Sequence, residues 1–223
     1  CCPFVRLSEE SGRLWEMQLP IEPVRKQGES AEYTGRFRVE KPLLWWPRNY
    51  GAQPLYHVSF QLKQRERILD EHQYDTGFRH IRMIGSMRFM VNGKEVRLYG
   101  AGITPICGLS HAYFKEYALD MLDKLEGCNM NAVRIWGPGK ANPDAFYSEL
   151  DRRGILAWQD FPTGTWQMPD DEEHQAIYRQ EAMQMITRLK HHPSILLWCG
   201  GNEHIYMCEL EGWEGRVGFE LLH

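Results

Sequence analysis

The sequence predicts a β-sandwich followed by a parallel α/β unit. Three observations carry this expectation: early segments that alternate apolar and polar residues between Gly and Pro, an Asn-Gly hairpin, and then short apolar strands that alternate with amphipathic helices. In the first part, up to about residue 82, Arg36-Phe37-Arg38-Val39 alternates, and Tyr56-His57-Val58-Ser59-Phe60-Gln61-Leu62 alternates over a full strand. A period of two marks half-buried antiparallel sheet, one face on a core and the other in water. Phe89 to Leu98 follows, with Asn92-Gly93 at its centre, a pair that tolerates the positive φ angles of a two-residue hairpin turn.

From about residue 96 the period changes. The strands expected are Val96 to Ile103, Asn131 to Trp136, Ile155 to Phe161 and Ile195 to Gly200. The helices between them are Tyr113 to Glu126, Pro143 to Arg153 and Asp171 to His191. Continuous apolar strands mean burial on both faces, as in a parallel sheet covered by helices. Four strands with three helices between them make half of a (β/α) barrel or an open, doubly wound sheet. Asn142-Pro143-Asp144 starts one helix, with Pro in a first-turn position, and Gly154 ends it. Another starts among Asp170, Asp171, Glu172 and Glu173 and ends in Lys190, His191 and His192, charges that oppose the macrodipole at both ends, before Pro193 stops it.

Composition narrows the function classes. With 26 basic and 30 acidic side chains among 223 residues, the net charge of −4 gives no electrostatic reason for a nucleic-acid or anionic-membrane partner. The longest apolar run, Ile195 to Cys199, is strand-sized, far below the ~20 residues of a membrane span. The six cysteines, Cys1, Cys2, Cys107, Cys128, Cys199 and Cys208, form no C-x-x-C pair, and they read as mostly free, buried thiols. The chain opens Cys1-Cys2-Pro3 without a charged or apolar leader, so any signal peptide would lie upstream and the compartment cannot be read. His191-His192 reads as a charge patch at a helix C-terminus rather than a metal site, because no third ligand stands at a recognised spacing. Gly137-Pro138-Gly139-Lys140 lacks the Walker spacing. Neither a metal nor another cofactor is expected.

Ligands of parallel α/β folds sit at the carboxyl ends of the strands. Arg134, Trp136, Gly137 and Gly139 follow or end the second strand, Trp158-Gln159-Asp160-Phe161 the third, and Gly200-Gly201-Asn202-Glu203-His204 the fourth. Carboxylates and amides bind hydroxyls, and indoles stack on the apolar face of a pyranose, so such a rim suits a sugar. Each residue also has a plainer reading. Asn202 and Glu203 could be the cap and first turn of a helix, Arg134 and Asp160 a structural ion pair, and Trp158 a core side chain.

The joint pattern carries more than its parts. Asn129-Met130-Asn131-Ala132-Val133-Arg134-Ile135-Trp136-Gly137 is followed by Phe146-Tyr147, by Asp151, and by Gly154-Ile155-Leu156-Ala157-Trp158-Gln159-Asp160-Phe161. His192-Pro193-Ser194-Ile195-Leu196-Leu197-Trp198 then leads to Asn202-Glu203. This order resembles family 2 of the glycoside hydrolases, most closely its β-mannosidase and exo-β-glucosaminidase branch. Upstream, Trp45-Trp46-Pro47, Tyr50-Gly51 and Gln53-Pro54-Leu55-Tyr56 resemble the immunoglobulin-like domain before the family's barrel, and Gly77-Phe78-Arg79 its closing strand. The resemblance covers about Leu43 to Glu203.

It implies an immunoglobulin-like β-sandwich over residues 1–82 and the first half of a (β/α)8 TIM barrel over residues 83–223. It further implies a retaining exo-β-glycosidase acting on β-linked sugars, with the Trp-Gln-Asp-Phe segment favouring β-mannosides over glucosaminides. Glu203 then matches the general acid/base, Asn202 the amide on the sugar 2-hydroxyl, and Arg134 the support of the catalytic carboxylates. Asp160, Trp136 and Trp158 complete the substrate pocket. The family's nucleophile is a glutamate after the seventh strand, beyond His223, so the 223 residues alone are expected to be inactive. Ile103-Thr104-Pro105 departs from the Asn-Trp that many β-mannosidases carry before the Pro. The rival from another class is a non-catalytic carbohydrate-binding or scaffold protein.

Overall fold

The computed structural model describes residues 2–19, 25–27, 30–32, 36, 38–65, 67–104, 114–139, 141–164, 169 and 171–211. The first unit centres on a four-stranded antiparallel sheet in the order β2-β1-β5-β6, built from β1 (Cys2–Glu9), β2 (Leu14–Gln18), β5 (Tyr56–Gln64) and β6 (Arg67–Thr76). A two-stranded pair, β3 (Arg25–Gln27) and β4 (Ser30–Glu32), lies between β2 and β5 in the chain. Leu7, Tyr56 and Val58 are the centre of its core, with Phe78 edge-on to the Tyr56 ring at 4.8 Å.

The alternation read in β5 holds only for its first half. Tyr56 and Val58 point inward, but Phe60 is exposed while Ser59 and Gln61 are buried. Their side chains donate to one Glu71 oxygen across the pair, at 2.7 and 2.5 Å, so a carboxylate takes up the buried side-chain donors. The strand expected at Arg36 to Val39 is not formed at residues 36, 38 and 39, and Phe37 lies outside the described residues. Lys41 at φ 50° and the following Pro42, which has no N–H to give a ladder, turn the chain there.

The hairpin is where the sequence places it. Asn92 and Gly93 have φ of 50° and 84°, and they join β8 (Arg88–Val91) to β9 (Lys94–Val96) in a three-stranded sheet with β7 (Ile81–Gly85). Phe89, Val91 and Val96 from this sheet pack with Trp45, Leu156 and Leu196 in one buried cluster. Leu156 and Leu196 stand at the starts of their strands, so the hairpin sheet seals the amino ends of the parallel sheet.

That sheet comprises β10 (Gly100–Ile103), β11 (Ala132–Ile135), β12 (Leu156–Asp160) and β13 (Ile195–Cys199), all parallel and in sequence order. The helices α1 (Phe114–Gly127), α2 (Asp144–Arg153) and α3 (Glu172–Leu189) connect them, and α4 (His204–Glu211) follows. Leu122, Phe146, Leu150 and Leu189 pack against Val133, Ile135, Ala157 and Ile195 in a single core. Strand order without a reversal and helices gathered on one face are the marks of a barrel, and they exclude the doubly wound sheet. The fold is therefore a sandwich followed by the first half of an α/β barrel.

Sequence punctuation is largely as read. Asp171 caps α3 by accepting from the His174 N–H at 3.0 Å, and Gly154 ends α2 at φ 68°. A Cβ on Gly154 would stand 2.6 Å from the Arg48 backbone nitrogen, so glycine is required on two counts. Pro143 is the N-cap residue of α2 rather than part of its first turn. Val96 to Ile103 is interrupted at residues 97–99, where the Asn131 side chain takes over the backbone, accepting from Tyr99 N–H and donating to Arg97 carbonyl. Cys199 is half-buried but Cys128, in the turn after α1, is exposed, which corrects the expectation of buried thiols. Cys1, Cys107, Pro105, Tyr113, Lys140, Asp170 and residues 212–223 lie outside the described residues, as do the side chains of Cys2 and Cys208.

The two units are joined through polar contacts to the end of α2 and to the entry of β13. Arg79 donates to the carbonyls of Pro193 and Ile195 at 2.7 and 2.8 Å, and the Trp45 indole N–H donates to the Asp151 carbonyl at 2.8 Å. The buried Asp151 carboxylate accepts from His192 Nδ1–H at 2.6 Å and from the Ser194 N–H at 3.0 Å. His192 is thus an internal strut. His191 lies between His192 and Tyr74, its ring tilted to both, and burial holds its imidazole down to about 4, with His192 adding to that effect and Asp151 and Asp144 opposing it. The pair is therefore not the charge patch expected from sequence.

A pH dependence follows from His191. The unfolded imidazole takes up its proton near 6.5 and the folded one near 4, so between these values the unfolded chain binds more protons and stability declines as pH falls. Glu9 and Glu71, held at about 2, lose their contribution only below 4.5. Thermal unfolding followed from pH 7 to pH 4.5 should show a falling Tm in the native sequence and a flatter profile in His191→Gln.

Candidate active site

Period two separates the faces of β11 and β12. Val133, Ile135 and Ala157 meet the helices, which leaves Arg134, Trp158 and Asp160 on the opposite face. Register places Arg134 beside Trp158, Trp158 beside Leu197, and Asp160 beside Cys199, so neighbouring strands deliver side chains to one area.

Asp160 ends β12 with its side chain wholly out of solvent. The Arg134 guanidinium grips it as a fork, Nε to Oδ1 at 3.2 Å and Nη2 to Oδ2 at 2.7 Å, and the Gly137 N–H adds a third bond at 3.1 Å. A Cβ at Gly137 would lie 2.5 Å from the Phe161 carbonyl oxygen, so only glycine lets this loop close on the carboxylate. Arg134 Nη2 also donates to Asn202 Oδ1 at 2.9 Å, which ties the end of β13 to the same pair. Its hydrogen bonds to Asp160 push the guanidinium further up, with Glu203 among the smaller charges acting the same way. The Arg134 carbon Cζ stands 5.4 Å from the centre of the half-buried Trp158 ring. The Trp158 indole N–H is buried and meets no acceptor among the described residues.

Asn202 is buried, but it does not cap a helix. It bridges to Gly164, its N–H donates to the Thr163 carbonyl at 3.0 Å, and α4 starts at His204. Because its side-chain oxygen faces the guanidinium, its two N–H donors are directed elsewhere. Glu203 stands between β13 and α4, exposed, at a φ of 58°. Trp136 is half-buried just beyond β11, where its N–H continues the pairing with the Ile103 carbonyl at 3.1 Å.

The structure thus joins Arg134, Asp160, Asn202 and Trp158 in direct contact, with Glu203 next in the chain and Trp136 at the adjoining strand end. The ion pair and the ligand-binding reading are compatible, since the same guanidinium both neutralises Asp160 and orients Asn202. Sequence reasoning places His204 on the rim after the fourth strand but gives it no role and does not single out Thr163; the two side chains meet at 3.1 Å beneath the Asn202 to His204 turn. Among the described residues no group of His, Cys, Asp and Glu is arranged to hold a metal ion. A groove of about 680 Å³ lies elsewhere, between β6 and helices α2 and α3, on the helix side of the sheet.

Comparison with known proteins follows the same division. The model described as "Glycosyl hydrolases family 2" matches residues 16–79, and "Glycosyl hydrolases family 2, TIM barrel domain" matches residues 116–213. Among curated relatives, beta-mannosidase A of Emericella nidulans is 34% identical over 178 residues, 73% of this chain and 19% of the relative. Among solved structures, the β-D-mannosidase of Dictyoglomus thermophilum superposes with a TM-score of 0.77 at 26% identity, over 99% of this chain and 28% of that one. The beta-glucuronidase of Bacteroides uniformis has the same fold, with a TM-score of 0.74 at 24% identity over 99% of this chain and 26% of its own. The chain spans about a quarter or less of the length of the curated relatives it matches. Two models of one family, in the order in which the sandwich and the half-barrel follow one another, place the chain in family 2 of the glycosyl hydrolases.

Proposed function

We propose that this chain is the segment of a retaining exo-β-glycosidase that carries the general acid/base, with β-mannosides as the preferred substrates. The observation that carries the reading is Glu203, an exposed carboxyl directly after the fourth parallel strand, beside the Arg134, Asp160 and Asn202 network. The relatives named β-mannosidase support the sugar preference. In this reading the catalytic unit starts at residue 83, and the preceding sandwich supports its closed end.

The chemistry proceeds in two displacements. Glu203, as the carboxylic acid, protonates the glycosidic oxygen as its bond to the anomeric carbon breaks, while a carboxylate on a later barrel strand attacks that carbon. Glu203, now a carboxylate, takes a proton from water as the water oxygen attacks the anomeric carbon and frees the nucleophile. Asn202 donates to the sugar 2-hydroxyl through its amide N–H groups. Arg134 holds that amide, and Trp136 and Trp158 supply apolar faces for the ring. No metal or organic cofactor has a part.

Two carboxylates ~5–5.5 Å apart are needed for this route, and four strands are half of an eight-stranded barrel. The 223 residues alone are therefore expected to give no turnover of an aryl β-mannoside above that of a Glu203→Ala control, measured on the purified chain.

In the complete enzyme, Glu203→Gln should slow mannosides with sugar leaving groups far more than those with nitrophenolates, which depart without a proton. Azide should restore turnover to Glu203→Ala on the activated substrate, because this anion needs no general base. Equal losses on both substrates without azide rescue would overturn the assignment. Rates on β-glucosaminide and β-glucuronide analogues, taken beside the mannosides, test the sugar preference directly.

Arg134→Lys tests the network. A lysine is a point charge and cannot hold both Asp160 oxygens and the Asn202 amide, so kcat/KM should fall more than ~10-fold, equivalent to ~1.4 kcal/mol, with Tm little changed. A collapse of Tm with normal specific activity in the surviving enzyme would mean a purely structural pair.

A further inference from the structure

Glu203 is a residue with a Cβ in the left-handed region, at a φ of 58°. That conformation is unfavourable for such a residue, and it persists where surrounding contacts over-determine it. The contacts converge on Thr163, a buried residue three positions beyond β12. Its carbonyl accepts from the Asn202 N–H at 3.0 Å, on one side of Glu203. Its hydroxyl donates to the Gly200 carbonyl at 2.8 Å on that same side and accepts from His204 Nε2–H at 3.1 Å on the other. His204 is itself buried, and that burial pushes its imidazole below the ordinary 6.5 and favours the neutral ring, whose Nε2–H is the donor because the Thr163 hydroxyl already gives its proton to Gly200.

The two loops approach as closely as glycine permits. A Cβ on Gly201 would stand 2.2 Å from Thr163 Oγ1, and one on Gly164 would stand 2.5 Å from the Asn202 carbonyl oxygen. Thr163 therefore reaches residues 200, 202 and 204 at once, and Glu203 is the exposed residue within that span.

We propose that Thr163 and His204 are positioning residues that hold Glu203 in the strained turn from which its carboxyl meets the glycosidic oxygen. The proposal rests on the acid/base reading given above. Neither side chain touches the sugar; both act by restricting where the Glu203 backbone can go. A hydroxyl that donates in one direction and accepts from the other also selects the imidazole tautomer, so the two residues work as one unit.

The experiment uses the complete enzyme. Thr163→Val keeps the volume and the carbonyl bond to Asn202 but deletes the hydroxyl bridge, and Thr163→Ser keeps the bridge. For each variant, kcat is measured on a mannobioside and on a dinitrophenyl β-mannoside, beside Glu203→Gln. Thr163→Val should lower kcat on the mannobioside by ~10-fold or more, with KM little changed and the dinitrophenyl substrate much less affected, since a misplacement of about 1 Å can lose ~100-fold. Thr163→Ser should recover most of that loss. The ratio of the two kcat values does not depend on how much of the preparation is folded, so a variant that merely folds poorly keeps the native ratio and overturns the proposal. A native ratio in Thr163→Val beside a strongly altered one in Glu203→Gln overturns the positioning role alone. A native ratio in Glu203→Gln itself removes the acid/base reading, and the positioning role with it.

Discussion

The burial of one carboxylate sets the terms for the rest of the site. Asp160 stands at the end of β12 with no solvent access, where an unpaired charge would be strongly unfavourable. Its partner has to come from a neighbouring strand, and the parallel register supplies Arg134 from β11. A guanidinium is planar and presents five donors, so it can satisfy both Asp160 oxygens and still reach the Asn202 amide from the same nitrogen. One desolvated charge therefore ties together the ends of three consecutive strands. The Gly137 N–H completes the set and brings the loop after β11 down onto the same carboxylate.

The opposite end of the sheet is organised by different forces. Trp45, Phe89, Val91 and Val96 close over the starts of β12 and β13 with side chains almost wholly buried, so the amino ends are held by apolar packing. Polar links from Arg79, Trp45 and Asp151 then anchor the sandwich to the segment that enters β13. A rigid, dry base at one end allows polar and strained groups to be concentrated at the other, which is the usual division in barrel enzymes.

This division bears on catalysis through preorganisation. An acid/base carboxyl is useful only where its proton meets the departing oxygen, and an exposed side chain on a freely moving loop would spend little time there. In the proposed reading that carboxyl belongs to Glu203, which is flanked by two buried neighbours, Asn202 and His204, each bonded to other strand-end residues. The Glu203 side chain is exposed to solvent while the residues on either side of it are buried and bonded. The left-handed conformation of Glu203 fits this arrangement, since strain of that kind is sustained by contacts elsewhere.

Much of this was legible in the chain of residues. The four parallel strands and the helices between them follow from apolar periodicity, Asn92-Gly93 from the φ angles that a hairpin turn demands, and the rim residues Arg134, Asp160 and Asn202 from their places at strand ends. These features are local, because periodicity, caps and turns depend on residues a few positions apart. Three matters lay beyond periodicity and local pattern. Strand order bears out the barrel that the family resemblance implies and that periodicity alone leaves open against a doubly wound sheet, because a continuous strand run with helices on one face is a statement about which strands pair. His191 and His192 were read as surface charge, yet they are packed between Tyr74 and Asp151, which belong to elements 40 residues or more away in sequence. Thr163 carries no pattern and His204 only a place on the rim, since a hydroxyl and an imidazole acquire a joint role only when two loops from different strands close to hydrogen-bond distance. The sequence by itself determined the elements and the chemistry available at their ends; the packing of distant segments decided which of those groups are desolvated, and therefore which must pair.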